Sequence, residues 1–205
     1  MKLYFSPGTC SLAPHIVLRE SRLPAELQRV DLRTHQTASG EDYYRINPKG
    51  SVPLLETDEG MRLTEGPIIA QYIADKTGNA ELMPPAGTDA RYRVMEWQNY
   101  ITSELHKSYS LLFNPAFDAS AKGLIKASLR KKYEWVNSRL GDGPYLTGKT
   151  FTAADAYLFA VTRWAKGMEL DLNGLNALQT FMDTVRARPA VQAAVDAEKA
   201  TDSKQ

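Results

Sequence analysis

Cysteine is almost absent: Cys10 is the one thiol in 205 residues. A single cysteine excludes an intrachain disulfide framework and suits a reducing compartment, so a cytoplasmic location is expected. Histidine is scarce too. His15, His35 and His106 stand far apart, with no CxxC or HExxH pattern, so no metal site is expected. The dinucleotide fingerprint G-x-G-x-x-G is missing, and no resident cofactor is expected. Excess charge is also lacking: 25 Lys and Arg face 24 Asp and Glu. A phosphate-tracking groove needs clustered basic residues. The run Arg130-Lys131-Lys132 is followed closely by Glu134 and reads as a solvated helix face, so no nucleic-acid partner is expected. No apolar run approaches the roughly 18 residues of a membrane span, and no signal-peptide pattern opens the chain. No membrane association is expected.

What is present is an ordinary globular composition, 43% hydrophobic, long enough for one large domain or two small ones. Lys2 to Phe5 reads as a short strand stopped by Ser6-Pro7-Gly8. A helix follows through Leu12, Ile16, Val17 and Leu18, with Pro14 in its first turn. Leu27, Val30 and Leu32 mark a weak second strand, and 34–40 a polar loop. A short helix is expected over 41–46, ended by Asn47-Pro48-Lys49-Gly50. Val52 to Glu56 and Met61 to Thr64 read as an antiparallel hairpin, with Val52-Pro53 a candidate cis bond. Thr64 is expected to cap a helix that begins at Glu65 and closes at Gly78. This order gives a four-stranded mixed sheet with helices on its faces, over residues 1–80. Residues 81–87 read as a Pro- and Gly-bearing linker, and 88–205 as an all-helical unit. Within it, helices are expected over 89–113, 124–140, from 153 through Trp164, 175–187 and 190–200, and the tail 201–205 is expected to fray. Thr152-Ala153-Ala154-Asp155 resembles a capping box, with Phe151 as its hydrophobic staple.

Three places can carry chemistry. Cys10 lies between a Pro-Gly turn and a helix start, where unsatisfied N–H groups and the helix dipole favour thiolate. The competing reading is a small buried hydrophobe. On the helix from Asp89, residues Asn99, Ser103 and His106 fall within about 60° of one another at 100° per residue. That stripe is either a solvated face or the wall of an interdomain cleft, with His106 a proton acceptor toward a thiol. The helix start at Thr64-Glu65-Gly66 can hold a carboxylate on free N–H groups and an ammonium group on Glu65.

These segments resemble a bacterial glutathione S-transferase, most closely the beta class. The matching stretches are Lys2 to His15, Asn47 to Pro53, Leu63 to Gly66, Ser103 to Lys107 and Phe151 to Phe159. The resemblance implies an α/β thioredoxin-like N-terminal domain, an all-α C-terminal domain and a homodimer. It implies glutathione as the co-substrate, with Cys10 at its sulfur and His106 nearby. Val52, before a cis Pro53, is implied to pair its backbone with the cysteinyl part, and Glu65 and Gly66 to hold the γ-glutamyl end. Asn99, Ser103 and Lys107 match polar positions around the ligand, some serving the neighbouring subunit. The capping box is implied to be structural.

Three departures matter. Gly66 stands where many other classes have serine at the γ-glutamyl site, which leaves only its backbone N–H. Phe5-Ser6 stand where many classes have a tyrosine, and Tyr4 is expected to face away from Phe5. His35 stands where relatives often carry Lys or Arg, which weakens the expected contact to the glycine carboxylate. Cys10 remains the expected thiol-side residue, with Ser11 or Thr9 as hydroxyl substitutes. The expected function is conjugation of glutathione to small, largely apolar electrophiles. The alternatives are thiol–disulfide exchange or reductive dehalogenation through a Cys10 mixed disulfide, and a non-catalytic carrier of apolar ligands. Leu111, Phe113, Phe117 and Trp164 are candidates for the electrophile pocket.

Overall fold

A computed structural model describes residues 1–202. Five strands make the sheet: β1 (Lys2–Phe5), β2 (Glu26–Asp31), β3 (Gln36–Thr37), β4 (Leu54–Glu56) and β5 (Arg62–Thr64). Their order is β3-β2-β1-β4-β5. β1 is parallel to β2 and antiparallel to β4, and the expected hairpin of β4 and β5 forms, with Leu3 opposite both Leu27 and Leu55. The sheet therefore has five strands where sequence pattern indicates four. The extra strand lies inside the expected polar loop and pairs Gln36 and Thr37 with Asp31 and Val30. Two polar residues at a sheet edge carry no period-two signal, so only the ladder reveals them. Alternation sends Leu3 into the main core and Tyr4 to the other face, against Tyr43.

Helix α1 (Leu12–Glu20) and α2 (Gly66–Thr77) cover the main-core face of the sheet. The expected helix over 41–46 is a single 3₁₀ turn, Tyr43–Arg45, capped by the Asp42 side chain on the Tyr44 N–H at 3.0 Å. Thr64 does not cap α2. Its backbone is engaged in β5, and Glu65 stands at the cap position. Residues 79–88 form no strand or helix, yet Leu82 and Met83 are buried in the core, and the Leu82 carbonyl accepts from Ala153 N–H at 3.0 Å.

The helical part comprises α3 (Asp89–Tyr100), α4 (Lys107–Phe113), α5 (Ala119–Arg139), α6 (Ala153–Thr162), α7 (Trp164–Gly167), α8 (Asn176–Arg186) and α9 (Pro189–Asp202). A π-helical stretch, Ile101–His106, separates α3 from α4 where an unbroken helix is expected. α5 starts before Leu124 because Asp118 caps it on the Ala121 N–H at 2.8 Å. Thr201 and Asp202 continue α9, and the remainder of the expected frayed tail lies outside the described residues.

Every residue of α6 is buried. It packs against α1, α2, α3 and α8, so one apolar core runs through both halves of the chain. Its start is the capping box in fact. The Asp155 carboxylate accepts from Thr152 N–H, the Thr152 hydroxyl and Leu146 N–H at 2.7, 2.7 and 2.8 Å. The architecture is a thioredoxin-like α/β half joined to an all-α half.

Candidate active site

Cys10 sits in the turn before α1, half-buried, and its thiol donates to the Val52 carbonyl at 3.5 Å. The Val52–Pro53 peptide is cis. The turn is tied by small polar groups. The Ser6 carbonyl accepts from the Thr9 hydroxyl at 2.9 Å and from the Ser11 hydroxyl at 3.2 Å. The hydroxyls of Thr9 and Ser11 are also 2.8 Å apart. Both hydroxyls are consumed in holding the loop, and Ser11 is fully buried. They are therefore poorly placed to replace the thiol. The helical half grips the same turn from both sides. Gly8 N–H donates to the Glu198 carboxylate at 3.1 Å, and the Trp164 indole N–H donates to the Gly8 carbonyl at 2.8 Å. Buried His15 supports Glu198. Arg19 can only donate, so His15 Nε2 accepts from it at 3.3 Å and Nδ1–H donates to Glu198 at 3.2 Å.

The thiol is not activated by its helix. Burial pushes the Cys10 pKa up to about 12, its own backbone N–H opposes this, and the carboxylates of Glu65 and Glu198 add to the rise. The physical reason is burial: Cys10 precedes the Ser11 cap in a turn packed beneath the helical half.

Across the cleft, His106 Nδ1 lies 2.6 Å from the Tyr157 hydroxyl, and its ring meets Trp164 edge-on at 5.1 Å. Burial lowers the His106 pKa, with Lys107 helping and Glu65 opposing. Burial raises the Tyr157 pKa, with the Thr102 hydroxyl opposing and Cys10 and Glu65 helping. The pair is thus a neutral imidazole beside a protonated phenol. Tyr157 carried no site signal beyond one. A hydroxyl inside the run Ala153 to Val161 is buried and needs a partner.

The α2 start forms the third wall. Glu65 adopts φ 69°, ψ 110°, a region costing roughly 1–3 kcal/mol for a non-glycine residue and concentrated at ligand sites. Its carboxylate pairs with Lys49 Nζ at 2.9 Å. A cavity of about 360 Å³ opens between these groups, lined by Cys10, Val52, Pro53, Glu65, Gly66, His106 and Lys107 of the predicted set.

Three predicted residues are not in that lining. His35 is held at φ 53° in the turn before β3, with its ring 4.4 Å from that of Tyr44. Asn99 lines an adjoining groove of about 270 Å³ with Glu65 and Thr102. Ser103 is exposed and lines neither. The π stretch explains the last two. Bonds from i to i+5 break the 100° count, so Thr102, His106 and Ser110 line the cleft instead of Asn99, Ser103 and His106.

A larger cavity of about 870 Å³, beside Trp97 and Trp135, contains no predicted site residue. Phosphate-loop spacing, G-x-x-x-x-G-K-T, does occur at Gly143 to Thr150. No strand leads into it, and α6 starts only at Ala153. The loop closes on itself through the Tyr145–Gly148 bridge, and a side chain at Gly143 would meet the Gly148 carbonyl at 2.7 Å. It is a tight turn without the strand and helix that phosphate binding needs. Among the described residues, no group of three or more His, Cys, Asp or Glu is arranged to hold a metal ion.

Comparison with known proteins adds sequence and structural relatives. Residues 1–75 match the family model "Glutathione S-transferase, N-terminal domain", and residues 104–197 match "Glutathione S-transferase, C-terminal domain". Glutathione S-transferase GstA of Escherichia coli O157:H7 is 46% identical, over 97% of this chain and 98% of its own. The ternary complex of BphK, a bacterial GST, superposes with a TM-score of 0.94 at 48% identity, covering 97% of this chain and all of that one. A sphingomonad glutathione S-transferase complexed with glutathione superposes with a TM-score of 0.93 at 39% identity, covering 97% and 99%.

Proposed function

The chain belongs to the glutathione S-transferase family, and on that premise we propose that it conjugates glutathione to small apolar electrophiles, with Cys10 as a hydrogen-bond donor to the glutathione sulfur. The observation that carries this reading is the Cys10 thiol on one wall of the cleft, directed at the Val52 carbonyl, with burial favouring its protonated form. When a peptide thiol enters, the Cys10 S–H can turn from that carbonyl to the incoming sulfur. A donor lowers a neighbouring thiol's pKa, and the thiolate is the nucleophile. The cavity offers partners for the rest of the tripeptide. Glu65 suits the ammonium group, and Gly66 N–H at the α2 start suits the adjacent carboxylate. The Val52 backbone suits the central amide. Lys107 stands at the rim for a second carboxylate. Asn99, Ser103 and His35 lie further out, where a longer ligand or a neighbouring subunit would meet them.

Beside His106, the Phe113 and Trp164 rings lie 5.5 Å apart. Phe113 is exposed, and with Trp164 it offers an apolar wall for the electrophile; Leu111 and Phe117 are exposed as well. The exposed side chains Ile68, Tyr92 and Met95 along α2 and α3 suit the contact face of a homodimer. Among the described residues, no helix is long and apolar enough to cross a membrane. The free thiol is consistent with a cytoplasmic enzyme that removes electrophiles.

The mixed-disulfide reading requires an attacking thiolate at Cys10, and a thiol titrating near 12 supplies little of it. Ultraviolet titration of enzyme-bound glutathione tests the main reading. A thiol pKa well below that of free glutathione supports it, and an unshifted value overturns it. Turnover of an activated aryl halide separates it from a non-catalytic carrier.

A further inference from the structure

A second cavity, of about 430 Å³, lies between α6, α7 and α8 and shares no lining residue with the cleft. Its volume is within the range of about 300–1,000 Å³ typical of small-ligand sites. The floor is apolar, built from the buried side chains of Leu170, Leu175 and Met182. The charged groups in its lining are all cations: Arg163, Lys166 and Arg186.

The nearby carboxylates are directed elsewhere. Glu169 and Asp171, on the loop that closes the cavity, pair with Lys126 and Arg130 of α5. Asp183 is engaged by Arg186 at 2.6 Å and does not line the cavity. Arg163 makes no ion pair with any described carboxylate, and its guanidinium lies 5.9 Å above the Phe159 ring. Burial lowers its pKa, Glu198 opposes this, and Arg186 adds to the fall. Of the three cations around this apolar floor, Arg186 alone makes an ion pair with a described carboxylate, so an anion that brings its own apolar surface suits the cavity.

We propose that this cavity binds a small amphiphilic monoanion, a carboxylate on an unbranched apolar tail. The tail lies on the Leu170–Met182 floor. The planar fork of Arg163 takes the carboxylate, with Lys166 at the rim. The inference rests on this cavity's own charge and shape and does not require the transferase reading.

The test is calorimetric titration of the full chain with decanoate, below its micelle-forming concentration, with S-hexylglutathione present to occupy the cleft. Binding at one site is expected, with decan-1-ol at least about tenfold weaker, the size of one charge-assisted hydrogen bond. Lys166→Glu, an exposed change, is expected to weaken decanoate by about tenfold or more. Arg163→Gln is expected to do the same, with a melting curve recorded to confirm folding. The proposal is overturned by absence of decanoate heat, by equal affinity for decan-1-ol, or by indifference to Lys166→Glu. Displacement by S-hexylglutathione, which would place decanoate in the cleft, also overturns it. Preference for 3-phenylpropanoate over decanoate overturns the unbranched tail.

Discussion

Alkylation of Cys10 by iodoacetamide reads its protonation state directly, because the chain has no other thiol to confuse the signal. A thiol that titrates near 12 is ionised to about one part in 100,000 at pH 7. An ordinary cysteine, near 8.5, is ionised to about 3% at the same pH. The deficit in thiolate is ~3,000-fold. A more basic thiolate is intrinsically more reactive, and a Brønsted coefficient of about 0.4–0.5 over ~3.5 units returns ~30-fold. Alkylation of the folded protein at pH 7 is therefore expected ~100-fold below that of the same chain in urea. The rate should climb about tenfold per pH unit up to about pH 11. The sign for stability agrees. The unfolded thiol loses its proton at about 8.5 and the folded one at about 12, so stability is lost as pH rises through that window. Mass spectrometry at timed quenches follows the single adduct. A rate that levels off below pH 8 would refute the reasoning. It would mean that the helix start holds a thiolate, and it would restore the mixed-disulfide chemistry.

Other changes test the remaining walls of the site. Glu65→Gln keeps the shape at the α2 start and removes its charge. The KM for glutathione should rise by about 10- to 150-fold, as for a lost charged hydrogen bond, while the melting temperature stays near that of the parent. Tyr157→Phe leaves His106 Nδ1 without its partner at 2.6 Å. Its kcat/KM is expected to fall about tenfold or more, and an unchanged pH–rate profile would count against the pair. Burial lowers His106 below its ordinary value of 6.5, so the unfolded chain takes up a proton there before the folded one does. Stability should drop as pH falls below that value, and urea titrations of His106→Gln should lose that part of the slope. Asp155→Ala strands the Leu146 and Thr152 N–H groups inside the protein. At roughly 1–3 kcal/mol each, a loss of about 2–6 kcal/mol is expected by urea unfolding, enough to threaten the fold.

Local chemistry in the chain was enough to indicate the four principal strands, the Val52–Pro53 turn, the capping box at Thr152 and Asp155, and Cys10 beside a helix start. Each rests on neighbours a few residues apart, where proline, glycine, caps and period-two alternation act directly. The resemblance then assembled Cys10, Val52, Glu65 and His106, and the cavity does bring those four together. Only the tertiary structure decided which face of the long helix looks into the cleft, because one π stretch between Tyr100 and Lys107 moves the phase from Ser103 to Thr102. Only it revealed Tyr157 as the partner of His106, 51 residues away, and Glu198 as the group that holds Gly8, 190 residues away. It also bears on the state of Cys10, which the sequence leaves open between a thiolate and a buried thiol. A helix start favours thiolate near its first turn, whereas burial and two carboxylates from distant segments act on the thiol wherever the fold places it. Position along the chain determines the first effect, and packing determines the second.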